Sequence, residues 1–231
     1  MTSFQHAKDL RADFPDLVAG VLAVTGVTPD ADVTEPVAVH TTAALARLGT
    51  GPLAEFPEIQ AWRRTFSRMG LKPTQYRCAS EALLRRLSKE GSVARINALV
   101  DLCNAVSMAY AIPVAALDLD RVDGDLEVRY VDGTENYETF AGGTEHPDAG
   151  EVSFVDDAGR SHARRWTNRQ SGYSAVRENT ANVLIVAEAL HPGAHADVER
   201  LVAALSTAIA ATWGATPRTA LLSTASPCFY L

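Results

Sequence analysis

Two short polar stretches contain the side chains best suited to bind or activate a small molecule. Asp101 and Asn104 lie one helical turn apart in an otherwise apolar segment, and Asn168, Arg169 and Gln170 follow one another directly after a predicted strand. Polar residues that follow a strand commonly lie on an exposed loop, so Arg169 and Gln170 are the stronger candidates for direct ligand contact. Asp101 and Asn104 could instead satisfy buried backbone groups, and both interpretations stay open.

The signatures of the common enzyme classes are absent. The chain has no GxSxG, HExxH, GxxxxGK[ST] or GxGxxG motif, so serine hydrolases, zinc proteases, P-loop NTPases and Rossmann enzymes have no support. Cys103 could be a nucleophile, but its place on the apolar face of a predicted helix favours a buried structural thiol. His191 and His195 have the spacing of a helical metal pair, yet Pro192 and Gly193 between them argue against a helix. We therefore expect no metal and no cofactor.

The charge of the chain is polarised. The formal net charge is −7, which on average repels a nucleic acid. Between Trp62 and Arg95, however, nine basic residues stand against two acidic ones. This stretch predicts a basic face that can bind a phosphate backbone, with a solvated helix surface as the alternative. The basic residues expected to bind are Arg63, Arg64, Arg85, Arg86 and Lys89.

The composition predicts a single globular domain. Of the 231 residues, 47% are hydrophobic and 21% are charged, which is ordinary for a protein that buries a core. No apolar run approaches the roughly 20 residues that span a bilayer, and the first residues lack the apolar stretch of a signal peptide. We therefore expect a cytoplasmic protein with no membrane partner. Three widely spaced cysteines favour neither a disulfide framework nor a zinc site.

Hydrophobic periodicity predicts an α+β domain. A buried strand within residues 14–27 precedes three helices, the second of which begins at Ser80 as its N-cap and ends at a glycine. These helices are expected at 33–47, 80–91 and 95–111. A last amphipathic helix follows the HPGAH turn, before a short strand around ALLS. Its apolar face consists of Val198, Leu201, Val202, Leu205 and Ile209.

Four short strands are predicted between these helices, within DLEVRYV, NYETFAG, GEVSFVDD and SHARRWTN. Asp123-Gly124 and Asp132-Gly133 are two-residue hairpin signals, and the segment 157–159 is a slightly longer glycine-containing loop. The pattern therefore predicts an antiparallel sheet.

The segment from 96 to 130 carries irregularly spaced polar residues that amphipathicity does not explain. It resembles a segment of the β subunit of bacterial phenylalanyl-tRNA synthetase, and LLRRLSKEG before it and SAVRENTANVLIVAEAL after it resemble neighbouring segments of the same module. The anchors shared within 96–130 are Ile96, Asn97, Val100, Asp101, Asn104, Pro113, Asp118, Asp120, Gly124, Val128 and Arg129. The resemblance covers about 62–190 and is closer to the free-standing B3/B4 proteins than to the synthetase.

This resemblance implies a fold and a function. The fold would be a three-layer α+β sandwich with a mostly antiparallel sheet, in one domain spanning 1–231 with 1–61 and 191–231 as terminal elaborations. The function would be hydrolysis in trans of the ester bond of mischarged aminoacyl-tRNA, with aminoacyl-tRNA as partner and no role for DNA. An aminoacyl ester is already activated, so a positioned water and a stabilised oxyanion suffice.

The resemblance also implies roles for individual residues. Asn104, Arg169, Gln170 and Thr180 would surround the ester. Residues expected to bind the substrate are Asp101, Asp118, Glu135, Trp166 and Asn168, with Trp166 as either a platform for the terminal adenine or a core residue.

Two departures from the synthetase pattern argue against a tyrosine side chain as the edited group. Ala115 replaces the synthetase histidine, and RRWTNRQSGY contains no acid. Nearby carboxylates suit a cationic side chain, such as that of the arginine analogue canavanine. A non-catalytic tRNA- or protein-binding module, or an enzyme acting on a free amino-acid derivative, remain the alternatives. The amino acid, the tRNA and the oligomeric state are left open.

Overall fold

The computed structural model describes residues 2–231, which contain six α-helices and twelve β-strands. The strands form two sheets. The helices are α1 (Lys8–Asp13), α2 (Thr34–Leu48), α3 (Pro57–Arg68), α4 (Ala79–Glu90), α5 (Ala98–Tyr110) and α6 (Ala194–Trp213). The strands are β1 (Ser3–His6), β2 (Val18–Thr25), β3 (Val114–Asp118), β4 (Leu126–Tyr130), β5 (Asn136–Glu138), β6 (Thr144–Glu145), β7 (Val152–Asp156), β8 (Arg160–Arg164), β9 (Arg169–Gln170), β10 (Asn182–Ala189), β11 (Arg218–Leu222) and β12 (Cys228–Tyr230).

The smaller sheet has the strand order β11-β2-β10-β3 and is antiparallel throughout. Its two central strands, β2 and β10, pair along all 8 residues of each. Leu184 and Val186 of β10 belong to one core cluster, and Val183 and Ile185 belong to another. Because successive side chains point to opposite faces of a strand, both faces of this sheet are buried.

The larger sheet has the strand order β12-β1-β4-β7-β8-β5-β6, with β9 paired to β8. The pairs β1–β4 and β5–β8 are parallel, and the other pairs are antiparallel. Phe4, Val128 and Phe154 of this sheet lie in the same core cluster as Leu184 of the smaller one. The α+β class and the mostly antiparallel pairing predicted from the sequence are confirmed.

The helices α5 and α6 cover the outer face of the smaller sheet and complete the third layer. All five residues of the predicted apolar face of α6 are buried. A Cβ atom at Gly20 of β2 would lie 2.4 Å from Val202 and 2.6 Å from Val198, so a glycine is needed for α6 to approach this strand. Within residues 2–231, we find no helix whose length and apolar character would allow it to cross a bilayer.

Two of the three predicted turn signals do not join paired strands. The loop 157–159 connects β7 to β8 as expected. Asp123-Gly124 instead leads into β4, whose partners are β1 and β7, and Asp132-Gly133 precedes β5, which pairs with β8 and β6. Turn chemistry is local, whereas the choice of strand partner depends on which faces are buried together.

The prediction that Ser80 caps α4 is wrong. The N-cap position is Cys78, with no side-chain cap, and the Ser80 hydroxyl donates to the Ala111 carbonyl oxygen at 3.0 Å. Ser80 therefore connects the start of α4 to the end of α5. The predicted end is correct, because Gly91 adopts the left-handed conformation with φ 73°.

Candidate functional site

A cavity of about 220 Å³ lies between α5, β3, β9 and the loop that joins β5 to β6. Its walls are mainly apolar, with Val100 and Val114 among them, and Phe140 stands at the loop. Asn104 and Gln170 provide its side-chain amides. An apolar cavity with a few polar groups is the usual form of a small-molecule site, so the structure brings together two of the residues predicted to be catalytic.

Asn104 has the most available polar side chain of this cavity. It is half-buried in α5, and within residues 2–231 its amide makes no hydrogen bond to the protein. The same residue lines a second cavity of about 290 Å³, between α2 and α5, together with Asp101. An amide offers two donor hydrogens and an acceptor oxygen, so Asn104 can bind a ligand in either cavity.

Gln170 is held in one orientation. Its side-chain Nε2 donates to the Ala116 carbonyl oxygen at 2.7 Å. The backbone carbonyl oxygen of Gln170 accepts from the Tyr137 hydroxyl at 2.7 Å. These contacts hold both the side chain and the backbone of Gln170 in place at the wall of the cavity. A fixed polar group aids catalysis without having to reorganise during the reaction.

The remaining residues of the segment before Gln170 are engaged elsewhere. Trp166 is fully buried, and its Nε1 donates to Glu188 Oε1 at 2.8 Å; it is a core residue with no face free for a nucleotide. The Asn168 amide donates to the Arg77 carbonyl oxygen at 2.7 Å. Arg169, whose side chain is 43% exposed, pairs with Glu145 at 2.9 Å.

The backbone of this segment adopts an uncommon conformation. Arg165 and Trp166 have successive positive φ angles of 49° and 59°. Non-glycine residues rarely adopt this region, and such strain often accompanies functional segments. The turn sets the direction in which the chain enters β9 and therefore the place of Gln170.

Three other predicted residues do not line the cavity. The Thr180 hydroxyl donates to Asp118 Oδ2 at 2.7 Å, and Asp118 also accepts from the Asp120 backbone at 3.0 Å. Glu135 pairs with Arg129 at 2.8 Å and is 2% exposed. These contacts join strand ends and turns, which is a structural role.

Asp101 occupies an intermediate position. Its carboxylate accepts from Arg95 Nε at 2.7 Å and from the Ile96 backbone at 2.7 Å. It is thus satisfied by the loop before α5, while it also lines the second cavity beside Asn104.

The thiol of Cys103 lines the first cavity but does not act as a thiolate. Burial raises its pKa to about 12, so the side chain stays protonated at neutral pH. Among the described residues that line this cavity there is no acid and no histidine. The cavity is therefore suited to hydrogen bonding and to water positioning.

Three of the predicted RNA-binding residues share one cleft. Arg85, Arg86 and Lys89 of α4 line an open depression of about 590 Å³, named the basic cleft below. Arg63 is instead paired with the buried Glu81 at 2.6 Å. Arg64 is exposed on α3 outside this depression.

His191 belongs to a group of potential metal ligands, whereas His195 does not. Ligand atoms of Glu58, His191 and Asp197 lie within 4.8 Å of one another. Each already has a partner, because Arg47 donates to both Glu58 oxygens at 2.7 and 2.6 Å and His191 Nε2 lies 2.7 Å from Asp197. His195 is exposed in the first turn of α6, so the two histidines do not share a helix.

Phe140 was not identified from the sequence. It is 69% exposed at the mouth of the first cavity. An aromatic residue directly before Ala-Gly-Gly in a loop was the available signal, because an apolar side chain rarely has a local reason to lie at such a tip.

The three layers define an α+β domain, and its first cavity contains two side-chain amides. The sequence model of the B3/4 domain family matches residues 61–210, and the chain belongs to this family. An N-terminal fragment of the phenylalanyl-tRNA synthetase β-subunit from Pyrococcus horikoshii has a similar fold, with a TM-score of 0.50 and 10% sequence identity.

The structural match covers 93% of this chain and 50% of the archaeal fragment, so the chain spans half the length of that fragment. At this identity the likeness concerns the fold alone, and it confirms the expected B3/B4-like architecture. No curated protein matches the chain significantly.

Proposed function

We propose that this protein hydrolyses the ester bond of mischarged aminoacyl-tRNA in trans. The observation that carries the proposal is the free amide of Asn104 beside the fixed amide of Gln170 in one cavity of a B3/4 domain. Family membership supports a tRNA-related role, and the two amides supply the groups that an activated ester needs.

In this mechanism the amides position a water molecule and stabilise the oxyanion. The water oxygen attacks the ester carbonyl carbon, and the bond from that carbon to the ribose oxygen then breaks. The ribose oxygen takes up one proton of the water and leaves as the hydroxyl. The amino acid leaves as a carboxylate, and the second proton of the water passes to solvent. A neighbouring ribose hydroxyl can relay the proton, which is consistent with a cavity whose described lining residues include no carboxylate and no histidine.

The other two predicted catalytic residues take different parts in this proposal. Arg169 lies next to Gln170 and is partly exposed, so it can approach a phosphate of the bound RNA end. Thr180 would have to give up its bond to Asp118 to reach the ester. We therefore assign Thr180 a structural part.

A cationic amino-acid side chain fits the second cavity. Asp101 lines it with a carboxylate that is bound to Arg95, whose side chain is 58% exposed. A substrate guanidinium could take the place of the Arg95 guanidinium without leaving Asp101 unpaired. This arrangement supports an arginine analogue as the edited residue, whereas the carboxylates of Asp118 and Glu135 are bonded elsewhere.

The first test is a panel of tRNAs mischarged with natural amino acids and arginine analogues. We expect ester loss above buffer hydrolysis for at least one of them, and loss for none would refute the proposal. Asn104→Ala should lower the rate by roughly 10²- to 10³-fold, as does removal of an oxyanion donor elsewhere. Because the Asn104 amide has no hydrogen-bond partner within residues 2–231, the melting temperature should stay unchanged.

Asn136→Ala is a matched control for this substitution. Asn136 is exposed on β5 and lines neither cavity. It should leave both activity and stability unchanged. Full activity of the Asn104→Ala protein would refute the proposed mechanism, even if the wild-type protein hydrolyses the ester.

A non-catalytic tRNA-binding module is the second candidate. The absence of a carboxylate and a histidine among the described residues of the first cavity favours it. Salt-sensitive tRNA binding with no ester loss for any substrate would support this candidate.

A further inference from the structure

We propose that Phe140 stacks on the 3′-terminal adenine of tRNA and so places the aminoacyl ester at Asn104 and Gln170. This inference rests on the proposed function, because that function identifies the occupant. The base of the nucleotide that carries the ester must lie next to the cavity that holds the ester.

The mouth of the first cavity is apolar and exposed. Phe140 is 69% exposed and Ile96 is 68% exposed, and both line this cavity. Phe140 and Ile96 line the same cavity, and exposed apolar side chains that lie together commonly mark a binding site. A planar, apolar surface next to hydrogen-bonding amides suits a nucleobase, which stacks by its face and bonds by its edges.

The loop that carries Phe140 is closed by hydrogen bonds. The Thr139 backbone N–H donates to the Gly143 carbonyl oxygen at 2.8 Å, and the Gly142 N–H donates to the Thr139 carbonyl oxygen at 2.9 Å. The Thr139 hydroxyl also accepts from the Gly143 backbone at 3.1 Å. The exposed ring therefore stands on a closed turn, which reduces the entropy lost on stacking.

A glycine fixes this turn against the strand that carries Gln170. A Cβ at Gly172 would lie 2.8 Å from the Thr139 carbonyl oxygen and 3.1 Å from the Phe140 Cα. The Gly172 N–H and the Ser171 hydroxyl both bond to the Glu138 carbonyl oxygen, each at 2.9 Å. The backbone contact couples the position of Phe140 to that of Gln170, two residues before Gly172.

Trp166 cannot serve in place of Phe140. Its ring is 0% exposed and packs against Trp62 and Phe14. Phe140 is thus the aromatic side chain that lines the mouth of this cavity.

The experiment measures the affinity of uncharged RNA microhelices that end in CCA or in CC. Phe140→Ala should weaken binding of the CCA microhelix about tenfold, within the range seen when base stacking is lost, and leave the CC microhelix unaffected. Phe140→Trp should retain CCA binding. Val39→Ala removes an exposed apolar side chain outside the cavity and should change neither affinity.

Two results of the binding experiment would overturn the inference. One is equal affinity of Phe140→Ala and wild type for the CCA microhelix, and the other is an equal loss of affinity for both microhelices. For any mischarged tRNA that the protein hydrolyses, Phe140→Ala should raise KM and leave kcat nearly unchanged. An unchanged KM would also overturn the inference. If no mischarged tRNA is hydrolysed but CCA binding still depends on Phe140 and the terminal adenine, the adenine site stands and the proposed hydrolysis fails.

Discussion

At the residue scale, a buried chain of polar contacts joins Asp156, His162 and Ser174. His162 Nδ1 lies 2.8 Å from the Ser174 hydroxyl, and its Nε2 lies 3.2 Å from Asp156 Oδ2. The residue types are those of a hydrolytic triad, but none of the three is more than 5% exposed. A substrate cannot reach them, so their role is to stabilise the larger sheet.

The acid stability of the protein should depend on Asp156. Burial by itself would raise the pKa of this carboxyl, but hydrogen bonds from His162 and from the Arg160 backbone outweigh it and lower the pKa from 3.8 to about 2. A carboxyl whose pKa is lowered by folding stabilises the protein above its unfolded pKa. That contribution is lost as the pH falls from about 4 towards 2.

Asp156→Asn should therefore lower the urea midpoint at pH 7 and flatten its decline between pH 4 and pH 2. Urea denaturation over this pH range measures both effects. Asp148→Asn is the control, because the Asp148 side chain is 86% exposed. Parallel pH profiles for wild type and Asp156→Asn would contradict the assigned pKa.

At the scale of elements, the basic residues on and beside α4 fall into two groups, those near the buried Glu81 and those on the exposed face. Glu81 is 1% exposed and lies near three guanidinium groups, those of Arg63 at 2.6 Å, Arg77 at 3.6 Å and Arg85 at 4.0 Å. Arg63 therefore fixes α3 to α4. Arg86 and Lys89 lie further along the exposed face and have no ion-pair partner within residues 2–231.

The exposed part of α4 should govern RNA affinity. Arg86→Glu combined with Lys89→Glu should weaken tRNA binding and reduce the salt dependence of the binding constant by about one unit of log–log slope per lost phosphate contact. Filter binding at several salt concentrations measures this. The charge-matched control is Arg200→Glu with Arg218→Glu, away from the basic cleft. An equal loss in both proteins would indicate only a net-charge effect.

At the scale of the whole molecule, Glu188 connects the two sheets and the helix α3. Its Oε1 lies 2.6 Å from His6 Nε2 and 2.8 Å from Trp166 Nε1, and its backbone oxygen accepts from Trp62 Nε1 at 3.2 Å. His6 in turn lies 3.2 Å from the Arg11 guanidinium. One carboxylate thus satisfies donors from β1 and from the segment before β9.

Glu188→Ala should lower the free energy of unfolding by about 3–5 kcal/mol, because it leaves the buried His6 and Trp166 donors without their acceptor and removes the charge that favours the buried Arg11 cation. Urea denaturation at neutral pH measures the change. Glu178→Ala, at an exposed position, should change it by less than about 0.5 kcal/mol. A small effect of Glu188→Ala would mean that water satisfies the buried donors.

The sequence by itself determined the elements whose patterns are local. The apolar face of α6, the helix α5 and the buried strand β2 follow from periodicity, and the irregular polar residues of α5 indicated the B3/4 relationship. These residues include the candidate Asn104, and the run of polar residues after a predicted strand identified Gln170. Side-chain type and spacing suffice here because each pattern is complete within one element.

Only the tertiary structure decided which residues meet. It paired β5 with β8 and β6, although Asp132-Gly133 suggested a hairpin with the preceding strand. It also buried Trp166 and bonded Thr180 to Asp118. It also brought Phe140 to the mouth of the cavity that contains Asn104. The physical reason is that long-range packing chooses among conformations that are locally similar in energy, so contacts between distant segments cannot be inferred from either segment alone.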